Sequence, residues 1–243
     1  PFFHGFALEG VELCPMAPSA MGPLAHAQEL DAAPFSLVQG LELEALYEPL
    51  GSMGISVKGA VQSILLYCRV PAPKLSNAVV GVTEESATSA QLLRLMLEQR
   101  YHAHVREYVA LDSTPLDAFL LIGDKALLTH NRVEGYPYRY DLAEDWLHWK
   151  GLPFVFALWM VRRSLEPGLK EALTEGLRRN MEENMARNLR AIASKRSDLG
   201  MTAEQVAGYL RAFRFVFDSD DWRAIEVFKD ALRSRSPARE ATL

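Results

Sequence analysis

The chain has 243 residues, 49% of them hydrophobic and 23% charged, with 26 basic side chains against 31 acidic ones and a formal charge of −5. That composition is globular and excludes a disordered tail, a collagen and a coiled-coil rod. It also argues against holding a nucleic acid by bulk charge, because neutralising phosphates needs a basic face. An anionic ligand would have to be held by a local set of donors. At roughly 150 residues per domain the length allows one to two domains and a sizeable core.

Taken in chain order, residues 35–48 mix leucine, valine and alanine with Gln and Glu, and read as a helix running into a strand. Residues 53–57 and 61–70 read as strands separated by a turn at Lys58-Gly59. The second of these is almost wholly apolar, as expected of a strand buried on both faces. Pro71-Ala72-Pro73 breaks the chain, and 78–82 is a further short strand. Thr83-Glu84-Glu85-Ser86-Ala87-Thr88-Ser89 then leads into a periodic apolar run ending near Arg100, where hydroxyl side chains before the run are N-cap chemistry. Residues 104–111 and 118–122 read as strands, Gly123-Asp124 opens a helix, and 141–150 is a short helix rich in Trp and acid. Residues 152–161 form a second apolar strand, although length alone leaves a buried helix open. A helical tail follows: 169–195, a helix from Thr202 with Glu204 close behind it, and 220–233.

Strands alternating with helices and then a helical tail predict an α/β protein with mixed, mostly parallel sheets. The two long apolar strands bracket a compact βαβ block. If both are crossings, 69–157 is a lobe inserted into a first lobe made of 1–68 and 158–243, with a ligand cleft between them. The longest apolar run, 152–161, is about half of the ~20 residues a membrane span requires. No signal-peptide pattern opens the chain at Pro1-Phe2-Phe3. The two cysteines, Cys14 and Cys68, lack a CxxC spacing and read as thiols of a reducing compartment; a single disulfide stays open, and a zinc site is not expected.

Several constellations could carry chemistry. Ser86, Thr88 and Ser89 at a helix start could bind a carboxylate through outward amides and hydroxyls. From spacing alone a plain cap comes ahead of that reading, and Glu84 and Glu85 weigh against an anion unless they point away. Ser63, inside an apolar strand, is either a buried hydroxyl bonded to a neighbouring carbonyl or a donor facing the cleft; no GxSxG surrounds it. Asp124 follows a strand at its C-terminal end, where α/β ligand sites collect, and also suits a helix start. His102 and His104 would share a strand face, a surface pair rather than a metal site. Alternation in 152–159 puts Phe154 and Phe156 on one face that could wall an apolar ring. Phosphate loops, a Walker motif and HExxH are absent from the sequence. The residues alone thus describe a two-lobed cleft protein for a small anionic ligand.

Three segments taken together resemble a known family. Thr83-Glu-Glu-Ser-Ala-Thr-Ser89, Leu120-Leu-Ile-Gly-Asp124-Lys-Ala-Leu127, and Tyr140-Asp-Leu with Trp146 and Gly151-Leu-Pro-Phe-Val-Phe-Ala157 are similar to the chorismate dehydratases of the futalosine route to menaquinone. The similarity runs from Ala32-Ala-Pro-Phe-Ser36 through Ser63 to the C-terminal helices. The resemblance implies the two-lobed fold of type II periplasmic solute-binding proteins, reused by a soluble cytoplasmic enzyme, monomer or homodimer. It also implies conversion of chorismate to 3-[(1-carboxyvinyl)oxy]benzoate with loss of water, without metal or organic cofactor, and with neither nucleic acid nor membrane as partner.

In that reading Thr88, Ser89 and Ser86 bind a substrate carboxylate, Ser63 and Ser36 donate hydrogen bonds, and Phe154 and Phe156 line the ring. Asp124 is a candidate base, with the substrate's own enolpyruvyl carboxylate as the other. In the family the segment matching Pro1-Phe-Phe-His-Gly5 follows a first strand and a site-facing asparagine; the sequence as given begins at that proline. The alternatives are a 1,4-dihydroxy-6-naphthoate synthase-like enzyme, a non-catalytic solute-binding protein for a small carboxylate, and a regulatory metabolite binder. The synthase would use a histidine of the second lobe, but none of His102, His104, His130 and His148 matches its motif.

Overall fold

The computed structural model describes residues 1–83, 86–129 and 132–235; Glu84, Glu85 and His130 lie outside them. In chain order the elements are α1 (Pro18–His26), β1 (Ala32–Ser36), α2 (Leu37–Glu42), β2 (Tyr47–Val57), β3 (Ile64–Cys68), β4 (Val79–Val82) and α3 (Ala87–Leu95), which runs on as a π-helical turn over Met96–Arg100. There follow β5 (Glu107–Ala110), β6 (Ala118–Ile122), α4 (Gly123–Leu128), β7 (Tyr138–Asp141), α5 (Leu142–Lys150) and β8 (Phe154–Arg162). The tail holds α6 (Pro167–Glu183), a second π turn at Asn184–Asn188, α7 (Leu189–Ser194), α8 (Ala203–Arg211), β9 (Phe213–Val216) and α9 (Ser219–Arg233). The apolar run after Leu152 is therefore a strand.

The chain divides into two compact units. The first comprises Pro1–Ser56 and Val155–Asp218; the second comprises Val57–Phe154 and the chain from Ser219. This differs from the sequence expectation of 1–68 plus 158–243 around 69–157. The first crossing precedes β3, because β3 is an inner strand of the second unit's sheet, hydrogen-bonded to both β6 and β7. Helix α9 also groups with the second unit. Its Phe228 meets Trp146 and Phe154 edge-on, and beyond it Arg235 pairs with Glu98.

The first unit is built on a four-stranded sheet of order β1-β8-β2-β9, in which β1 runs antiparallel to β8 with Ser36 opposite Ala157. Its core gathers Leu50, Met53, Trp159, Val161, Leu173, Leu177 and Phe215. Gly54 allows the close approach of β2 to β8: a Cβ there would stand 2.4 Å from the Ala157 carbonyl and 2.2 Å from the Phe217 ring. On α6 and the turn after it, Asn180 and buried Asn184 donate to carbonyls of Phe2, His4 and Pro1 at 2.7–3.2 Å, which fastens the first residues to the helix.

The second unit carries a five-stranded sheet of order β5-β4-β6-β3-β7. Strand β4 is parallel to β5 and β6, while β3 is antiparallel to β6 and β7. The sheets are mixed, as expected, with a smaller parallel share than strand–helix alternation implies, because β3 reverses direction in the middle. All five residues of β3 are buried, which is why its sequence lacks polar alternation. Helix α5 is nailed down by Trp146, which is fully buried, stacks edge-on against Phe154 and Phe228, and donates Nε1–H to the Pro153 carbonyl at 3.1 Å. No helix of the described residues is long and apolar enough to cross a membrane.

Candidate functional site

The second sheet brings most of the expected residues to one edge. Parallel strands β4 and β6 both end there, the first leading to α3 and the second to α4. Antiparallel β3 starts there, with Ile64 opposite Ile122, and β7 ends there, with Asp141 opposite Leu65. Ser63, the head of α3, Gly123-Asp124 and Asp141 are thus collected at the edge where the connections of an α/β sheet present their ligand groups.

Ser86 caps α3: its Oγ accepts from the Ser89 amide at 3.2 Å and its hydroxyl lies 3.0 Å from Ser89 Oγ. The bland reading of Ser86 as a cap is therefore what the geometry shows, and the helix keeps the positive end that a carboxylate would use. Thr88 and Ser89 are both buried, at 1% and 3% exposure. Ser63 is buried, and its carbonyl accepts from the Gly123 amide at 2.8 Å, tying the start of β3 to the head of α4. Gly123 adopts φ +55°, a left-handed turn that glycine makes without steric cost. Asp124 stands exposed in the first turn of α4 rather than at its cap, which is Ile122.

Other expected residues fall elsewhere. Ser36, in the first unit, caps α2 by accepting from the Gln39 amide at 3.4 Å. Phe154 and Phe156, expected on one apolar wall, belong to different units. Phe154 is only 1% exposed and is locked between Trp146 and Phe228, so it serves as core. Phe156 is half-buried with Phe213 at 6.3 Å. His102 and His104 lie exposed in the segment before β5, not on a strand face. Among the described residues no cluster of three or more His, Cys, Asp or Glu could hold a metal ion. A cavity of about 410 Å³ in the first unit, bordered by Leu8, Val11, Met16, Trp159 and Leu173, contains none of the expected residues.

Sequence reasoning assigned no role to Asp141. Its Oδ2 accepts from the amides of Val61 and Gln62 at 2.8 and 2.6 Å, and its Oδ1 from those of Ala143 and Glu144 at 3.1 and 3.3 Å. Burial pushes the carboxyl up from its usual range, and the four amide donors pull it back. The available signal was an aspartate directly before an apolar helix; its reach to Val61, 80 residues away, leaves no local trace.

One turn along α5, Asp145 accepts a hydrogen bond from Tyr101 Oη, and burial raises both groups above their ordinary values. Burial likewise pushes the Cys68 thiol up to about 12, which leaves it a protonated core side chain. A carboxyl raised on folding contributes stability that is fully present below its unfolded pKa and is lost as pH rises through the folded one. Asp145→Asn removes that titration. The stability of the unsubstituted protein minus that of the variant is therefore expected to fall as pH rises from about 4. Urea unfolding at stepped pH measures it, and a difference that grows with pH would contradict the assignment.

The family model described as menaquinone biosynthesis matches residues 1–234. The chain belongs to this menaquinone-biosynthesis family. The chorismate dehydratase of Thermus thermophilus is 28% identical over 254 residues, covering 96% of this chain and 90% of that protein. Among solved structures, a protein of Archaeoglobus fulgidus superposes with a TM-score of 0.71 at 18% identity, covering 95% of this chain and 89% of the other. An ABC transporter protein of Parabacteroides distasonis gives 0.63 at 14% identity, covering 98% and 88%. The periplasmic aliphatic sulphonate binding protein SsuA of Escherichia coli gives 0.56 at 12%, covering 90% and 76%. At such identities these likenesses speak to the fold alone: this member of the menaquinone-biosynthesis family has the periplasmic-binding-protein fold.

Proposed function

We propose that the chain is a cytoplasmic hydro-lyase that converts chorismate to 3-[(1-carboxyvinyl)oxy]benzoate and water on the futalosine route to menaquinone, without metal or organic cofactor. The observation that carries this reading is the whole-length match to the family together with a chorismate dehydratase as relative. The edge of the second sheet supports it with a helix N-terminus, buried hydroxyls and a carboxylate within one set of adjoining connections.

The chemistry asks for little beyond such an edge. The head of α3, with Thr88 and Ser89, holds a substrate carboxylate through amides and hydroxyls. The C3–H proton passes to the Asp124 carboxylate, and the electron pair it leaves is delocalised through the ring diene onto the ring carboxylate. The C4–O bond then breaks with a hydrogen bond from Ser63 Oγ to the departing hydroxyl. Asp124 returns its proton, so that water leaves and the carboxylate is regenerated. Aromatisation drives the second step, which leaves the protein to orient the substrate and stabilise developing charge.

Ser63→Ala tests the hydroxyl. Turnover of chorismate is expected to fall about 100- to 1,000-fold, the usual scale for a donor to developing charge. A variant that folds normally and turns over at the unsubstituted rate would remove Ser63 from the mechanism.

A further inference from the structure

We propose that Asp141 is a positioning residue that holds the loop ahead of Ser63 in its working shape, a statement that rests on the reading of the reaction given above. Gln62, the residue before Ser63, has φ +60°. For a side chain larger than glycine this left-handed conformation is strained and persists only where the surroundings over-determine it. Here the surroundings are one carboxylate oxygen. The successive amides of Val61 and Gln62 both point at Asp141 Oδ2, at 2.8 and 2.6 Å, the concave arrangement in which consecutive backbone N–H groups enclose an anion.

A plain helix cap does not account for this. Capping α5 uses only Oδ1, which accepts from Ala143 and Glu144. The second oxygen is spent entirely on a loop far away in sequence. Asp141 itself is fixed, because it ends β7 opposite Leu65 of β3 and is only 7% exposed. From the clasped loop the connection continues by covalent bond to Ser63. The Ser63 carbonyl in turn takes the Gly123 amide at 2.8 Å, one residue before Asp124. One buried carboxylate thereby sets the backbone that carries both proposed catalytic side chains.

The cap and the clasp separate in Asp141→Ser. Serine still caps a helix, but its single short hydroxyl lacks the second oxygen that takes the loop amides. The variant is therefore expected to fold with its α5 amides still protected from hydrogen exchange, while the amides of Val61 and Gln62 exchange faster. Its kcat on chorismate is expected to fall about 10- to 100-fold, the scale of an ångström of misplacement, with a smaller change in KM. Adding Gln62→Gly, which adopts φ +60° without strain, should restore part of kcat, whereas a merely structural defect would not respond. An active unsubstituted protein whose Asp141→Ser variant keeps its kcat within about twofold, or whose loss Gln62→Gly leaves untouched, overturns the proposal alone. An unsubstituted protein that does not turn over chorismate overturns the reading of the reaction, and this proposal with it.

Discussion

Trp146→Ala is expected to lower stability by about 3–5 kcal/mol, the range for removing a large aromatic from a closed core. Trp146 is fully buried, and Phe154 and Phe228 meet its ring edge-on at 5.4 and 5.9 Å. Those two rings pack on each other at 5.4 Å, so deleting the indole opens a void between β8, α5 and α9 rather than at a surface that could collapse. The Pro153 carbonyl would also lose the donor it takes at 3.1 Å. Trp149, half-buried on the same helix, is the control: it stacks on Trp146 and meets Lys150 at 3.5 Å. Its replacement by Ala is expected to have a clearly smaller effect. Denaturant unfolding followed by far-UV circular dichroism measures both; equal losses for the two variants would contradict the packing argument.

Thr88→Val is expected to raise KM for chorismate about 10- to 100-fold with kcat little changed, since a hydrogen bond to a charged group contributes roughly 1.5–3 kcal/mol. Both residues are β-branched, so helix propensity and shape are nearly conserved and the loss falls on the hydroxyl. Thr88 occupies the first turn of α3 at 1% exposure, in the part of the helix that favours an anion. Ser86→Ala gives the contrast. It deletes a cap seen directly, so its main expected effect is about 1 kcal/mol of stability, not a change in substrate binding. Steady-state kinetics on both variants decide the matter. An unchanged KM in Thr88→Val would take that hydroxyl out of the binding site.

Much of this was legible in the sequence because hydrophobic period and cap chemistry are local. The apolar runs around Leu66 and Val155 are largely buried strands, and among the hydroxyls before Ala90 that of Ser86 does cap α3. The elements that escaped have sequences with little hydrophobic period. Helix α1 contains Pro18, Gly22 and Pro23, which read as loop. Strand β7 is the polar edge sequence Tyr-Arg-Tyr-Asp, and β9 is four residues wedged between helices. For α8 the start at Thr202 was visible, and its capping box is closed by Gln205.

The site divides along the same line. Ser63, the head of α3 and Gly123-Asp124 could be singled out as candidates because each ends or begins an element. The pairing of Phe154 with Phe156 was inferred from strand alternation, which cannot tell a face that meets a ligand from one that meets Trp146 and Phe228. The reach of Asp141 to Val61 and Gln62 was missed because its partners are set by sheet order, and sheet order is a property of the whole chain.

Dehydration of chorismate by this chain is tested by incubating the purified protein with chorismate alone, followed by liquid chromatography with mass and absorbance detection. A product lighter than chorismate by one water and bearing an aromatic absorption is expected, formed in proportion to enzyme and slowed in Ser63→Ala. Chorismate recovered unchanged at every enzyme concentration would contradict the proposed reaction.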